Sequence, residues 1–593
     1  MSTGEQGEFL ARQALRQLDV SDKVLQQLVT YLVRATVEGH SSVRLDRFAA
    51  EEQTAVDLTG LTSLLAKQDF VGEPGERDTP LILDSNSRLY LARYWHYERA
   101  VADALIERAS QVLPSPAAGA DMAAGLSRLF PQTEEADQKT AVAVAALRPL
   151  TIISGGPGTG KTTTVTRLLS LLMSGQPDAR VALAAPTGKA AARVSESIRS
   201  ASQQLPGDVA QRLPTDAVTV HRLLGVRPAT NRCHYDKDRQ LPYDIVVIDE
   251  GSMIGVALMS RLLAALPLSS RLIILGDKDQ LDSVDPGSVL SDICSDTTGF
   301  SSDFATRLAG LGVQVESRPT LSRLQDCVVE LRHSYRYQAG GGIGRLAQAI
   351  QRGKAGEAMA ALENNDQVRL VEDTDEQDRV LREQVRNGYS DYASAVRGGA
   401  GPLQQLDAFD RFRFLCAYRH GPTGVERINQ IVRQALASEG LVETSREWGP
   451  GVPVLVKRND YTAKLFNGDI GIVTETDDGL RVAFPGSDGV ARLFPLSRLP
   501  EHELVYAMTV HKSQGSEFNR VVLVLPDEDK GLLSRELIYT ALTRARQGVV
   551  ILGQRALLEK ALARQRLKSS GLAAMLACAD RSPASPQQGS FGF

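Results

Sequence analysis

The sequence predicts an α/β protein in which two parallel sheets, each covered on both faces, follow a helical domain, with a small β-barrel inserted in the second. Three observations predict it. From about residue 123 to 330, short apolar runs each precede a polar loop and a helix-like stretch, the pattern of a parallel sheet buried on both faces. The same alternation returns at Phe412–Cys416, Val521–Leu525 and Gly548–Leu552. Between these returns, residues from about 447 to 503 read as short alternating strands broken by Gly, Pro and Asp, as a small barrel requires.

A chain of 593 residues has room for about three to five domains, each with its own core. Its 42% hydrophobic and 23% charged content suits a compact globular protein and excludes wholesale disorder. The net charge of −4 means that any nucleic-acid surface is a local channel lined by Lys and Arg rather than a basic field. Cys233, Cys294, Cys327, Cys416 and Cys578 have no paired C-x-x-C spacing. They predict neither a disulfide framework nor a metal site, and read as buried or inert thiols in a reducing compartment. The N-terminus lacks a basic region followed by an apolar core, and no run of about 18 apolar residues occurs, so a cytoplasmic protein is expected.

Taken in order, residues 1–112 read as mainly helical, with Ser21 as N-cap ahead of the periodic Val24, Leu25, Leu28, Leu32 and Val33. No catalytic constellation appears there. The Pro-, Ala- and Gly-rich stretch within 113–122 reads as a linker. The first α/β domain is expected over 123–330, with strands at Leu150–Ile153, Val181–Ala184, Ile245–Ile248 and Leu272–Leu275. Its polar, turn-prone stretch 226–244, around Asp236-Lys-Asp238, is a candidate hairpin insertion. The second α/β domain takes 331–446 and 504–580 and holds the barrel, 447–503. The Ser-, Pro- and Gln-rich tail 581–593 is expected to be disordered.

The strand at 150–153 leads into Gly155-Gly156-Pro157-Gly158-Thr159-Gly160-Lys161-Thr162-Thr163, which opens a helix. In that context the glycines let backbone N–H groups and the helix N-terminus face phosphates, Lys161 reaches the β and γ groups, and the Thr162 hydroxyl binds Mg²⁺. A glycine-rich turn without a ligand is the plainer reading, and the strand before and helix after tell against it. The strand Ile245–Ile248 ends in Asp249-Glu250: Asp249 is expected in the metal shell, and Glu250 to activate the attacking water of an ATP hydrolysis. Gln280, in Leu275-Gly-Asp-Lys-Asp-Gln280, ends a third strand, where an amide can sense the γ-phosphate. Arg336 and Arg544 are expected to bring positive charge to the transition state from the opposite domain. An arginine on a helix is usually only solvated, but two beside a complete phosphate site argue otherwise.

The order of these segments, with Gln138, Ala185-Pro-Thr-Gly-Lys-Ala-Ala191, Thr219-Val-His-Arg222, Met508-Thr-Val-His-Lys-Ser-Gln-Gly-Ser-Glu517 and Tyr539-Thr-Ala-Leu-Thr-Arg544, resembles superfamily 1 helicases over roughly residues 134–550. Asp282-Ser-Val-Asp-Pro-Gly287, Lys464-Leu-Phe-Asn-Gly-Asp-Ile-Gly-Ile472 and the short N-terminal domain with Arg88–Trp95 resemble the RecD branch, the alpha subunits of RecBCD helicase–nucleases (exonuclease V). The resemblance implies two RecA-like phosphate-loop motor domains and an SH3-like inserted barrel. It implies that Gln138 contacts adenine and that Glu517 lies on the nucleotide side. It also implies that Pro186, Thr187, Lys189, His221, Arg222, Thr509, His511 and Lys512 lie along a single DNA strand. A 5′ to 3′ helicase in double-strand-break repair and recombination follows, assembled through its N-terminal domain with a RecB-like helicase–nuclease and a RecC-like scaffold. Gly251 departs from the Ala usual in the family, a change that spares the metal ligand.

Three rival readings are weaker. Pro526-Asp-Glu-Asp-Lys530 resembles a metal-nuclease motif, but its carboxylates are contiguous instead of converging from separate strands, so nuclease activity belongs to a partner. An assembly subunit with a dormant motor has no need of an intact Lys161, Thr162, Asp249, Glu250, Gln280, Arg336 and Arg544. A stand-alone RecD-like helicase would carry helix-hairpin-helix repeats, and residues 1–112 show no such Gly-centred pattern.

Overall fold

The computed structural model describes residues 3–578 apart from 76–77, 112–118, 204–209, 228–229, 296, 298, 320–321, 338–340, 439, 441–447, 461 and 487–488. Most of the expected linker and all of the expected disordered tail lie outside these residues. Residues 119–122 of the linker belong to the helix Gly119–Leu129.

The N-terminal region opens with helices Thr3–Leu18 and Lys23–Val37. Asp22, not Ser21, caps the second: its carboxylate accepts from the backbone N–H groups of Val24 at 2.8 Å and Leu25 at 3.0 Å, satisfying donors that have no partner within the helix. Leu25, Leu28 and Leu32 are buried by the 3.6-residue period. The helices Leu45–Glu51 and Leu58–Ala66 accompany a small sheet absent from the sequence reading: β1 (Ser42–Arg44), β2 (Val71–Gly72), β3 (Leu81–Leu83) and β4 (Arg88–Leu91), in the order β1-β4-β3-β2. The strands are two to four residues long, too short to display a period of two.

The helix Ala92–Ser110 belongs by packing to the first α/β domain. Val101, Ala102, Leu105 and Ala109 share a core with Leu150, Ile152, Val246 and Leu272. The buried guanidinium of Arg108 donates to the carbonyls of Leu266 at 3.1 Å and Pro267 at 2.9 Å.

The first motor sheet holds β5 (Leu150–Gly155), β6 (Val181–Ala185), β7 (Val218–Thr219), β8 (Ile245–Ile248), β9 (Arg271–Gly276) and β10 (Val328–Leu331) in the order β10-β5-β9-β8-β6-β7, parallel throughout. Its other face is covered by helices Gly119–Leu129, Ala136–Leu147 and Lys161–Gly175. Non-adjacent order in a parallel sheet brings loops together at the carboxyl ends of the strands, where ligands bind in this class. In the stretch 226–244 the described residues hold one antiparallel bridge, Arg227 to Arg232, and a turn in which Asp236 N–H donates to the Arg239 carbonyl at 2.9 Å.

The second motor sheet is β11 (Val368–Val371), β12 (Phe412–Cys416), β18 (Ala507–Thr509), β19 (Phe518–Val524) and β20 (Ala545–Leu552) in the order β11-β20-β19-β12-β18, again all parallel. Between β12 and β18 the chain makes β13 (Pro453–Val456), β14 (Ile470–Thr476), β15 (Gly479–Pro485), β16 (Ala491–Pro495) and β17 (His502–Leu504). The expected barrel is here an antiparallel sheet of order β16-β15-β14-β13-β17, with β16 and β17 at its edges. Its Val454, Ile472 and Val482 join one core with Phe412, Phe414 and Val522 of the motor sheet.

The C-terminal segment leaves the second motor domain and ties the N-terminal region to the first. Leu572 and Leu576 pack into the core of the helix Ala92–Ser110. The fully buried carboxylate of Glu98 accepts from the hydroxyls of Ser41 and Ser570 and from the Gly571 backbone N–H at 2.9 Å. The Ser41 hydroxyl also reaches the Ser569 carbonyl at 3.1 Å, so removing that acceptor strands two buried donors, the Ser570 hydroxyl and the Gly571 N–H, each costing about 1–3 kcal/mol. Glu98→Ala is therefore expected to destabilise by about 3 kcal/mol in urea unfolding; a change below about 0.5 kcal/mol would disprove the clasp.

Candidate nucleotide site and DNA-facing surface

Between the two motor sheets lies a cavity of about 570 Å³, lined by Pro157 to Thr163, Asp249, Glu250, Gln280, Arg336, Glu517 and Arg544, with Arg193, Glu196, Ser197 and Arg546. β5 delivers the loop, β8 the carboxylates and β9 Gln280, all at their carboxyl ends. Gly158 and Gly160 both have φ of +78°, a left-handed conformation that any Cβ would strain. Gly158 also lies so close to Arg336 that an added Cβ would stand 2.3 Å from the arginine Cβ. Lys161 begins the helix Lys161–Gly175, and its ammonium donates to the carbonyls of Gly155 and, at 3.1 Å, Gly156.

Asp249 Oδ1 accepts from the Glu250 N–H at 2.8 Å. Burial, and then the neighbouring Glu250 charge, lift its carboxyl to about 6 against the pull of Lys161. Glu250 itself has φ of +52°, a left-handed conformation that costs a non-glycine residue about 1–3 kcal/mol and recurs where function fixes a side chain. Gly251 has close neighbours: a Cβ there would meet Ile274 Cγ2 at 2.7 Å and the Leu275 carbonyl at 3.0 Å.

Arg193, Arg336 and Arg546 all pair with Glu517, Arg546 at 3.0 Å. Burial raises the Glu517 carboxyl, but Arg193 and Arg336 outweigh it and hold the group at about 2. Arg544 is buried, and its guanidinium donates to the carbonyls of Ser516 at 3.1 Å and Thr540 at 3.2 Å. Among the described residues, Gln280 Oε1 and Arg336 Nη1 are buried polar atoms without a hydrogen-bond partner. Arg193 was not foreseen, although it lies one helical turn beyond Lys189, the spacing that puts two side chains on one face.

Not every expected nucleotide residue lines this cavity. Gly155 and Gly156 line a separate cavity on the other side of the loop, of about 510 Å³. The buried Gln138 amide donates to the Thr159 carbonyl at 3.1 Å and so abuts the loop from behind.

The residues expected along DNA sit apart from the cavity, after β6, β7 and β18. Pro186, Thr187 and Lys189 follow β6. Thr187 Oγ1 caps the helix Gly188–Ser202, accepting from Ala190 N–H at 3.2 Å. Burial pushes the Lys189 ammonium down, and the adjoining Gly188 packs on Phe466, in the loop between β13 and β14 of the inserted segment. His221 and Arg222 are exposed after β7. At the end of β18, Thr509 Oγ1 accepts from Lys512 N–H at 3.3 Å, Lys512 pairs with Glu503 at 2.6 Å, and burial lowers His511 to about 4. In the nuclease-like segment, Asp529 accepts from Gly531 N–H at 2.9 Å and pairs with Arg564 at 3.1 Å; it is a loop brace. Among the described residues there is no group of three or more His, Cys, Asp and Glu that could hold a metal by themselves, and no helix is long and apolar enough to cross a membrane.

Two all-parallel sheets facing each other across a phosphate loop, an acidic strand end and opposed arginines define an ATP-dependent DNA helicase motor. The model of an AAA domain matches residues 138–286, and that of a UvrD-like helicase C-terminal domain residues 504–552. The RecBCD enzyme subunit RecD of Mycolicibacterium smegmatis is 38% identical over 93% of this chain and 94% of its own length. That of Haemophilus influenzae is 31% identical over 87% of this chain and 84% of its own. The chain belongs to the RecD family. The ATP-dependent RecD2 DNA helicase of Deinococcus radiodurans is 32% identical over 90% of this chain but only 65% of its own length.

Proposed function

We propose that this chain is the 5′ to 3′ helicase subunit of a RecBCD-type helicase–nuclease, working with a RecB-like and a RecC-like subunit in the cytoplasm on broken DNA ends. The observation that carries the reading is the convergence of Lys161, Asp249, Glu250, Gln280, Arg336 and Arg544 on one cavity between two motor domains. Identity of 38% over 93% of the chain to a RecD subunit, against 32% over 90% to RecD2, favours a complex subunit over a stand-alone helicase.

Lys161 holds the β- and γ-phosphates of ATP, with the loop N–H groups around them. Thr162 and Asp249 offer the hydroxyl and carboxylate oxygens that suit Mg²⁺, which when bound neutralises charge on those phosphates. Glu250 takes a proton from the attacking water as its oxygen bonds the γ-phosphorus and the bond to ADP breaks. Arg336 and Arg544 stabilise the charge from the second domain, so nucleotide binding closes the cleft and phosphate release opens it. Gln138 stays the adenine contact, behind the loop. Lys189, Arg222, His221 and Lys512, with Pro186, Thr187, Thr509 and His511, grip the strand without reading its sequence.

On duplexes with a single tail, unwinding is expected only from the 5′ tail. A 3′ preference overturns the proposed polarity. Native co-purification should bring two large partner subunits.

A further inference from the structure

Gln280 is held from the second motor domain. Its Nε2 donates to Asp277 Oδ2 at 2.8 Å. The same oxygen accepts at 3.1 Å from the hydroxyl of Tyr539, a buried residue of the helix Arg535–Thr543. Gln351 Nε2 bridges that hydroxyl, at 3.0 Å, to Asp279 Oδ2, at 2.9 Å. The next residue is gripped too: Leu281 N–H donates to Thr540 Oγ1 at 2.9 Å, and Gln514 Nε2 donates to the Leu281 carbonyl at 2.6 Å.

An amide can sit either way round, and its partners decide which. With Nε2 spent on a carboxylate, the amide of Gln280, a residue of the cavity lining, has only its oxygen left over, the buried Oε1 that has no partner among the described residues. Turning the amide over would set its oxygen against Asp277 Oδ2, two acceptors in contact. An oxygen facing the nucleotide accepts from the attacking water; an NH₂ group there cannot.

Resting on the proposed hydrolysis site, we infer that Tyr539 is a positioning residue. Through Asp277 it fixes the Gln280 amide with its oxygen towards the nucleotide, so that water is oriented only when the second domain is docked. The same helix leads directly to Arg544, so one rigid element places both the arginine and, at second hand, the amide. Gly156 leaves room for the contact, since a Cβ there would lie 2.9 Å from the Tyr539 hydroxyl.

The test is DNA-stimulated ATP hydrolysis by the full chain on oligo(dT), with variants taken singly and together. Tyr539→Phe removes only the hydroxyl, and kcat is expected to fall about tenfold, the worth of one hydrogen bond to a charged acceptor, with KM for ATP within about twofold. Added to Gln280→Ala, it should cost nothing more, because its whole effect passes through that amide. Asp277→Asn, which keeps the tyrosine hydroxyl but removes the charge from the acceptor it shares with Gln280, should show the same non-additivity and serves if Tyr539→Phe fails to fold. Wild-type turnover in Tyr539→Phe, or losses that multiply in the double variants, overturns the inference, as does wild-type turnover in Gln280→Ala. Retained turnover in Lys161→Gln overturns instead the assignment of the site itself.

Discussion

Lys161→Gln is expected to lower DNA-stimulated ATP hydrolysis by about a thousandfold or more while leaving folding and association with partner subunits intact. Glutamine keeps most of the stem and removes the charge. Among the described residues Lys161 is the only lysine lining the cavity, and its charge opposes the rise of two buried carboxyls, Asp249 and Asp277. Its hydrogen bonds, among the described residues, run to the loop carbonyls of Gly155 and Gly156, so its loss leaves both motor cores untouched. Hydrolysis measured beside thermal unfolding separates the two effects. Unchanged turnover would sink the phosphate-loop assignment, and lost turnover with a lowered unfolding temperature would show that Lys161 also holds the fold.

The loop, the acidic strand end and the strand-end amide were legible because each is a local pattern whose backbone geometry follows from the residues themselves. Gly158 and Gly160 take the positive φ that the spacing of glycines requires, and β5, β8 and β9 are buried apolar runs that read as central strands. Contacts between distant parts of the chain were not legible. Asp277 and Tyr539 are 262 positions apart, and Glu98 and Ser570 are 472 apart; no period or motif in either segment encodes the pairing. The helix Ala92–Ser110 was assigned to the N-terminal domain from its place in the sequence, whereas its apolar face is spent on the motor core. Ser21 and Asp22 are both good caps, and only the extended backbone at Asp22 decides between them. The inserted segment showed its strands but not its ladder, because alternation fixes which side faces inward and leaves open whether the end strands meet.

Arg336 and Arg544 look alike in sequence, and the structure separates them. Both guanidinium hydrogen bonds of Arg544 run to carbonyls of its own domain, Ser516 and Thr540, so that side chain braces the second motor domain as well as lining the cavity. Arg336 spends Nη2 on Glu517 and leaves Nη1 buried without a partner among the described residues. The preceding Tyr335 N–H donates to the Gly158 carbonyl at 2.8 Å, fastening the arginine to the phosphate loop. The planar fork suits that division, one nitrogen held by a carboxylate and the other left for the γ-phosphate. Arg336→Ala is therefore expected to lower kcat by about a thousandfold with KM for ATP nearly unchanged and only a modest fall in the unfolding temperature, because Arg193 and Arg546 still pair with Glu517. Arg336→Lys should fail to restore turnover, since one ammonium cannot serve both partners in fixed geometry. Arg544→Ala should lower turnover and the unfolding temperature together. Substantial recovery in Arg336→Lys would mean that the site needs only a positive charge, and an equal loss of stability in both alanine variants would mean that neither arginine is held ready for the phosphate.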